Sequence, residues 1–427
     1  MSPLQPSLNL YQGLGTLMAA LLGTGVFIVP ELTVKAAQAG ALWSWALLAL
    51  AILPVAFVFA LLGRAYPHAG GASHYISMAL GQQQGRLIGW LFLALLSVGM
   101  PAAMEMALWF LQVLLPLSPL QSWLTKLLLL GLMVLISIQG ISLSGNVQAV
   151  IAALVSLLLL GLVVASWGQP VAPARQLDAL PWQGWLSMAP ALALGFWSFI
   201  GIEVIAHLST EFKRPERDFP LALILGVTLV GGLYWLGSWL VYAYAADYQG
   251  QQPAMIYLVE SLLGGWLGQH GAQVIGSFGF LSCVATMNIY LGSASRLLWS
   301  LAQEEPRLSR LSQLNRYRVP AWALYSLALM AALSISILTL LGLDLEAMIK
   351  AANGIIVLVY ILTMVAGWRL LARRYRLLSL LGLLVCLALA WTLGAAMLYV
   401  LVLYPLLMLL QKRLAAPSWG KPLSEQG

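Results

Sequence analysis

Two ionisable side chains one helical turn apart, Glu203 and His207, stand inside the apolar run LGFWSFIGIEVIAHLSTEF. Their i, i+4 spacing puts them on one helix face, just past Gly201, in a stretch where a charge is expensive unless it is neutralised, paired or wetted. The chemistry such a pair offers is the gain and loss of a proton as its surroundings change. We read Glu203 as the coupling residue and His207 as tuning it; the alternative is that Glu203 ties a bent helix to neighbouring backbone. A second set offers binding. Gly23, Thr24 and Gly25 interrupt the segment LLGTGVFIVP about 15 residues into an apolar stretch, which at about 1.5 Å per residue is near the middle of a bilayer. Such small residues let helices approach closely. They also suit a helix broken at mid-membrane, whose freed N–H groups and half-helix dipole hold an anion.

Nothing comparable supports covalent catalysis. The sequence has no H-E-x-x-H pair, no G-x-S-x-G and no pair of aspartates within the apolar runs, and its histidines are scattered at 68, 74, 207 and 270. Cys283 and Cys386 both lie in apolar runs and read as small packed hydrophobes, giving neither a disulfide framework nor a metal site. An intramembrane enzyme therefore lacks a nucleophile with its base, no metal or cofactor is expected, and a channel lacks a repeated polar filter segment.

The elements that hold these residues must be membrane helices. Of 427 residues, 61% are hydrophobic and 8% charged, whereas a soluble domain carries roughly 25% charged residues. At about 20 apolar residues per crossing the chain divides into twelve, near 8–36, 41–63, 87–114, 124–140, 146–167, 185–208, 220–245, 272–301, 321–342, 346–369, 376–392 and 394–411. Lipid offers the backbone no hydrogen-bond partners, so each is a helix. Met1 to Asn9 holds no Lys or Arg, so the first stretch is expected to be a retained span and not a signal peptide. Connections are too short for a soluble domain. With the N-terminus inside, 17 of the 21 basic residues fall on the cytoplasmic side, leaving Lys35, Lys126, Arg175 and Lys350 outside. The basic balance is thus a topology signal that places both termini in the cytoplasm, and nucleic acid is not implied.

Gly-containing interruptions in spans one and six, five spans apart, are what two inverted five-span repeats would bring face to face. Here the residues resemble a family. LLGTGVFIVP, the loop YPHAGGASHYISMALG and FWSFIGIEVIAHLSTEFKRPERDFP are similar to segments of the amino acid/polyamine/organocation transporter superfamily. GWLFLALLSVGMPAAMEM, NIYLGSASRLLWSLAQ and ANGIIVLVYILTMVAGWRLLARRYRLLS resemble, within it, bacterial exporters of methionine and branched-chain amino acids. The resemblance implies an all-α integral membrane protein of a bacterial inner membrane. It implies an inverted-repeat core at 1–370, with repeats at about 8–167 and 185–370, two further C-terminal helices at 371–412 and a cytoplasmic tail at 413–427.

It further implies that backbone around Gly23, Thr24 and Gly25 holds a substrate carboxylate, while carbonyls of Trp197, Phe199 and Ile200 hold its amino group. Trp197 then either closes over the substrate or packs structurally. Met287 and Asn288 fall where the superfamily lines its side-chain pocket, though Asn288 equally suits a bond to another helix. In span three, Gly99, Met100 and Ala103 flank Pro101, a helix breaker that would give room beside the broken spans; Met100 is flexible enough for several apolar side chains or serves as core filler. Glu105, within the same span, is either functional or bonded between helices. Loop residues Glu211 and Arg217 are expected to pair as a gate. Relatives that use a lysine in span five find no counterpart here, because Asn146 to Trp167 contains no Lys or Arg. Ser282, Thr286 and Ser293 offer oxygens for a sodium site, yet such hydroxyls usually bond backbone carbonyls. The expected function is secondary transport of neutral apolar amino acids such as methionine, leucine, isoleucine and valine. Protons are the expected coupling ion; export rests on the resemblance, with import or exchange as the alternative. Monomer and homodimer stay open.

Overall fold

Long apolar runs with few charges become long helices. The computed structural model describes residues 8–68, 70–139, 145–169, 186–250, 252–267, 270–303 and 305–414; the expected linker between the repeats and most of the tail lie outside the described residues. Ten helices there are long and apolar enough to cross a membrane. The remaining two of the twelve expected crossings are the first, made of two shorter helices, and the last, a single shorter helix.

Span one is split into α1 (Leu10–Leu22) and α2 (Val29–Ala37). A capping box starts α1: Asn9 accepts from the Gln12 N–H at 2.9 Å and Gln12 accepts from the Asn9 N–H at 3.0 Å. Pro30 sits in the first turn of α2, where a missing N–H costs nothing, which explains a proline soon after the glycines. Then follow α3 (Gly40–Ala65), α4 (Gly71–Leu80), α5 (Gln82–Leu114), α6 (Pro119–Ile138) and α7 (Gly145–Ala165). Span six is α8 (Ala189–Gly195), a 3-10 turn at Phe196–Phe199 and α9 (Ile202–His207). The second half continues with α10 (Asp218–Ala245), α11 (Ala254–Leu267), α12 (Gly271–Gln303), α13 (Ala321–Leu340) and α14 (Leu345–Leu370), and α15 (Arg376–Leu393) and α16 (Ala396–Leu414) complete the chain.

Several expectations need correction. The loop after span two is largely the helix α4, and α11 was not foreseen at all. Span four begins at Pro119, capped by Ser118, instead of near 124. Pro101 does not break span three: α5 runs through it, as prolines in membrane helices do when neighbours satisfy the freed carbonyl.

Packing sets spans of the two halves against each other. The halves of span one lie on those of span six, α1 on α9 and α2 on α8, while α3 packs on α10, α5 on α12 and α6 on α13. Spans 1–6, 2–7, 3–8 and 4–9 thus meet in matching pairs. The broken spans and α5 are mostly buried, whereas α6, α7 and α13 turn leucines outward, so the polar interruptions sit at the centre.

Candidate functional site

The two breaks are built differently. In the first, Gly23 to Ile28 form successive turns between α1 and α2. Their N–H groups bond backward: Gly23 to Ala19 at 3.0 Å, Gly25 and Val26 to Leu22 at 3.2 and 3.0 Å, Ile28 and Val29 to Gly25 at 3.0 and 2.8 Å. No described hydrogen bond engages the N–H of Thr24 or Phe27, or the carbonyl of Ala20. The second break turns on Gly201, whose φ of 136° no side chain tolerates well, after an extended Ile200.

Between them lies a cavity of about 570 Å3, its mouth included. Spans one and six contribute Ala20, Thr24, Trp197 and Ile200. Span three lays one helix stripe along it, from Phe92 through Leu95, Leu96, Gly99 and Met100 to Ala103, and span eight lays another, Thr286, Met287, Tyr290 and Ala294. None of these side chains is charged. Trp197 donates from Nε1 to Thr24 Oγ1 at 3.3 Å, joining the two breaks across the cavity wall. Main-chain groups at the two breaks without described partners, beside apolar walls, suit a small zwitterion with an apolar side chain.

The structure thus brings Thr24, Gly99, Met100, Ala103, Trp197, Ile200 and Met287 together around one cavity. Gly23 and Gly25 stand behind it and let other helices approach: a Cβ on Gly25 would lie 2.5 Å from Tyr234 Oη and 3.4 Å from Trp197 Cδ1. Three expected residues are placed otherwise. The Phe199 carbonyl already accepts from Tyr360 Oη at 3.1 Å, and that of Trp197 from the Ile200 N–H at 3.1 Å, which leaves Ile200 as the carbonyl of the three without a described donor. Asn288 turns from the cavity and accepts from Ser137 of α6 at 2.8 Å, since a mid-span amide takes the nearest interhelical donor. Unforeseen lining residues include Phe92, Leu95, Leu96, Tyr290 and Ala294; their i, i+3, i+4 spacing from Gly99 and Met287 is the signal that would have found them.

Glu203 is fully buried. Its Oε2 stands 2.6 Å from Tyr360 Oη, whose single proton it shares with the Phe199 carbonyl, and accepts from the Gly201 N–H at 3.1 Å, while Oε1 is buried without a described partner. The carboxyl therefore caps its own half-helix and ties the break to α14. The ring of His207 packs on Phe92 at 5.6 Å between centroids and on Gly71 of α4.

At the arginine-rich end of the bundle, Leu8 pairs with the strand-like residues after α9: its N–H donates to the Glu211 carbonyl at 2.9 Å and its carbonyl accepts from Lys213 at 2.8 Å. The Glu211 side chain faces Arg296 of α12 at 4.0 Å, not Arg217, which is exposed at the start of α10. Burial raises the Glu211 carboxyl above its ordinary value, and Arg296 offsets part of that rise. Glu105 pairs with Lys126 of α6, an ion pair between spans three and four.

Comparison with known proteins bears on what this architecture carries. The amino acid permease family profile matches residues 8–418. The chain is 38% identical, over 98% of its length and 99% of the relative's, to the L-methionine/branched-chain amino acid exporter YjeH of Escherichia coli. It is 28% identical, over 87% of each chain, to the uncharacterized amino acid permease YecA of Bacillus subtilis. To the branched-chain amino acid permease BcaP of Lactococcus lactis it is 25% identical over 75% of this chain and 72% of that one. A helical bundle with two broken spans, a cavity between them and a family match along nearly the whole sequence leave one assignment: the chain belongs to the amino acid permease family, multi-pass membrane transporters of the amino acid/polyamine/organocation superfamily, and is not an enzyme.

Proposed function

We propose that the chain moves neutral, apolar L-amino acids, with methionine, leucine, isoleucine and valine as substrates, by alternating access across a bacterial inner membrane, and that its net direction is export. The observation that carries this reading is the uncharged apolar cavity set between two interrupted helices. The N–H and hydroxyl of Thr24 receive the carboxylate, and the carbonyls of Ile200 and Ala20 receive the ammonium. Met100, Phe92, Met287 and Trp197 surround the side chain. No lining residue offers a counter-ion to a charged side chain, which supports the preference for apolar substrates. Direction is drawn from the likeness to YjeH, named as an exporter.

Glu203 is the proposed site of proton coupling, with His207 tuning it. It stands two residues beyond Gly201, and its unpartnered Oε1 is where a proton would be gained or lost as the site alternates.

Labelled leucine should exchange saturably into proteoliposomes. Blocking either end of the amino acid removes charge-assisted hydrogen bonds worth roughly 1.5–3 kcal/mol each, so N-acetyl-leucine and leucinamide should compete at least about tenfold less well. Equal competition by either would sink the site assignment. Glu203→Gln should lose transport driven by an imposed pH gradient while gradient-free exchange persists; full response of that variant would make Glu203 structural only. The side from which a gradient drives uptake into inside-out vesicles decides export against import.

A further inference from the structure

The half-helix α1 ends deep in the bundle, and the last carbonyls of a helix need donors that lipid does not supply. Side chains of two other spans provide them. Thr286 donates its hydroxyl to the Ala19 carbonyl at 3.1 Å, Tyr234 to the Leu21 carbonyl at 2.9 Å and Cys283 its thiol to the Gly23 carbonyl at 3.5 Å. Ala19 also accepts from the Gly23 N–H at 3.0 Å, which uses both of its lone pairs. The approach is tight as well: a Cβ on Gly23 would run into Thr286 Oγ1. The sequence left open whether hydroxyls of span eight bind sodium. A hard cation needs several oxygen lone pairs converging on a vacancy, and here those carbonyls face hydrogens across a gap too narrow to admit one.

Tyr234 reaches further. Its ring stacks on Trp45 with centroids 4.7 Å apart, and Trp45 Nε1 donates to Thr33 Oγ1 of α2 at 3.1 Å. One tyrosine therefore fixes the end of α1 directly and α2 through a tryptophan. We propose that Tyr234, Cys283 and Thr286 are positioning residues that set the break of span one from either side, leaving the Thr24 N–H turned to the cavity. They do so in place of a sodium ion, so substrate binding is independent of sodium. The role in binding rests on the substrate site proposed above; the clamp itself does not.

Two measurements on the full-length protein in nanodiscs keep these apart. Binding of labelled leucine is compared in sodium chloride and choline chloride, and amide hydrogen exchange is followed in peptides covering residues 17–29. The native protein should bind equally within twofold in both salts, with exchange unmoved by sodium. Thr286→Val and Tyr234→Phe should each raise the half-saturating leucine concentration at least fivefold and speed amide exchange at 23–28. Thr286→Ser should restore both readouts. If Tyr234→Phe does not fold, the Val and Ser variants at 286 decide alone. Sodium tightening native binding tenfold, or slowing exchange in these peptides, would overturn the proposal, as would variants that change neither readout. A native protein that binds no leucine in either salt would refute the substrate site, while amide exchange still decides the clamp.

Discussion

Gly99 faces the cavity, and a Cβ there would meet only Leu95, 3.7 Å away. Gly99→Ala should therefore fold normally and take space from the substrate side chain. A mismatch of one methylene is worth about 1–3 kcal/mol, so affinity for leucine and methionine should fall roughly tenfold or more, with valine least affected; competition against labelled leucine measures the ratio. Gly25 is the opposite case, closed in by Tyr234 and Trp197: Gly25→Leu should abolish leucine binding while the protein still inserts and purifies. The glycines were legible in sequence because interruptions of an apolar helix are rare events. Thr24 was picked out by its place between two glycines, and Trp197 by the family resemblance; both line the cavity. Phe92 and Tyr290 were missed, since in a helix apolar on all sides the cavity wall shows only once an anchor such as Gly99 or Met287 sets the helical register. Asn288 misled for a related reason: a polar residue at mid-span must bond something, and sequence does not show that Ser137 is nearer than the cavity.

Contacts between elements join segments distant in sequence. The pairing of Leu8 with the segment after α9 and the facing of Glu211 and Arg296 tie the segment before α1 to the region after span six and span six to span eight, contacts that a gate proposed at this end would have to break. Sequence pointed to Glu211 but gave it the wrong partner, because Arg217 is near in the chain whereas Arg296 is brought in by α12. α11 was equally hidden: its N-terminal Ala254 N–H donates to Glu31 Oε2 of α2 at 2.6 Å, a contact between segments more than two hundred residues apart. Closure should depend on pH with a definite sign. Burial raises the Glu211 carboxyl, so the closed form binds a proton more tightly than an open, hydrated one. Closure is then favoured below the ordinary carboxylate value and loses that contribution as pH rises through the raised one. A thiol at Leu8→Cys, whose pairing uses only backbone, should react with maleimide more slowly as pH falls across that window than the thiolate fraction of a free small thiol accounts for, and Glu211→Gln should remove that excess. An opposite slope would mean that pairing with Arg296 outweighs burial.

At the scale of the molecule, charge fixes how the bundle sits. Four basic residues stand apart from the arginine-rich end by sequence, and three of them are held in helices by carboxylates: Lys35 by Glu31 at 2.6 Å, Lys350 by Glu346 at 3.2 Å and Lys126 by Glu105. Lys126 is buried in α6, and removing its partner alone would leave a charge uncompensated at a cost of about 3–5 kcal/mol for a fully buried pair. Glu105→Ala should therefore destabilise the detergent-solubilised protein by up to that amount, and pairing it with Lys126→Met should recover most of the loss. Against these four, Arg64, Arg86, Arg296, Arg310, Arg316, Arg318, Arg369, Arg373, Arg374 and Arg376 fall at the other end by the sequence partition. Juxtamembrane Lys and Arg in short loops set orientation, so both termini should be cytoplasmic. Cys283 and Cys386 are buried and give little background to thiol labelling. A single cysteine introduced at Gly250 should react with a membrane-impermeant maleimide in intact cells, and one at Arg310 only after the membrane is opened; the reverse pattern would invert the topology, and with it the side from which substrate enters.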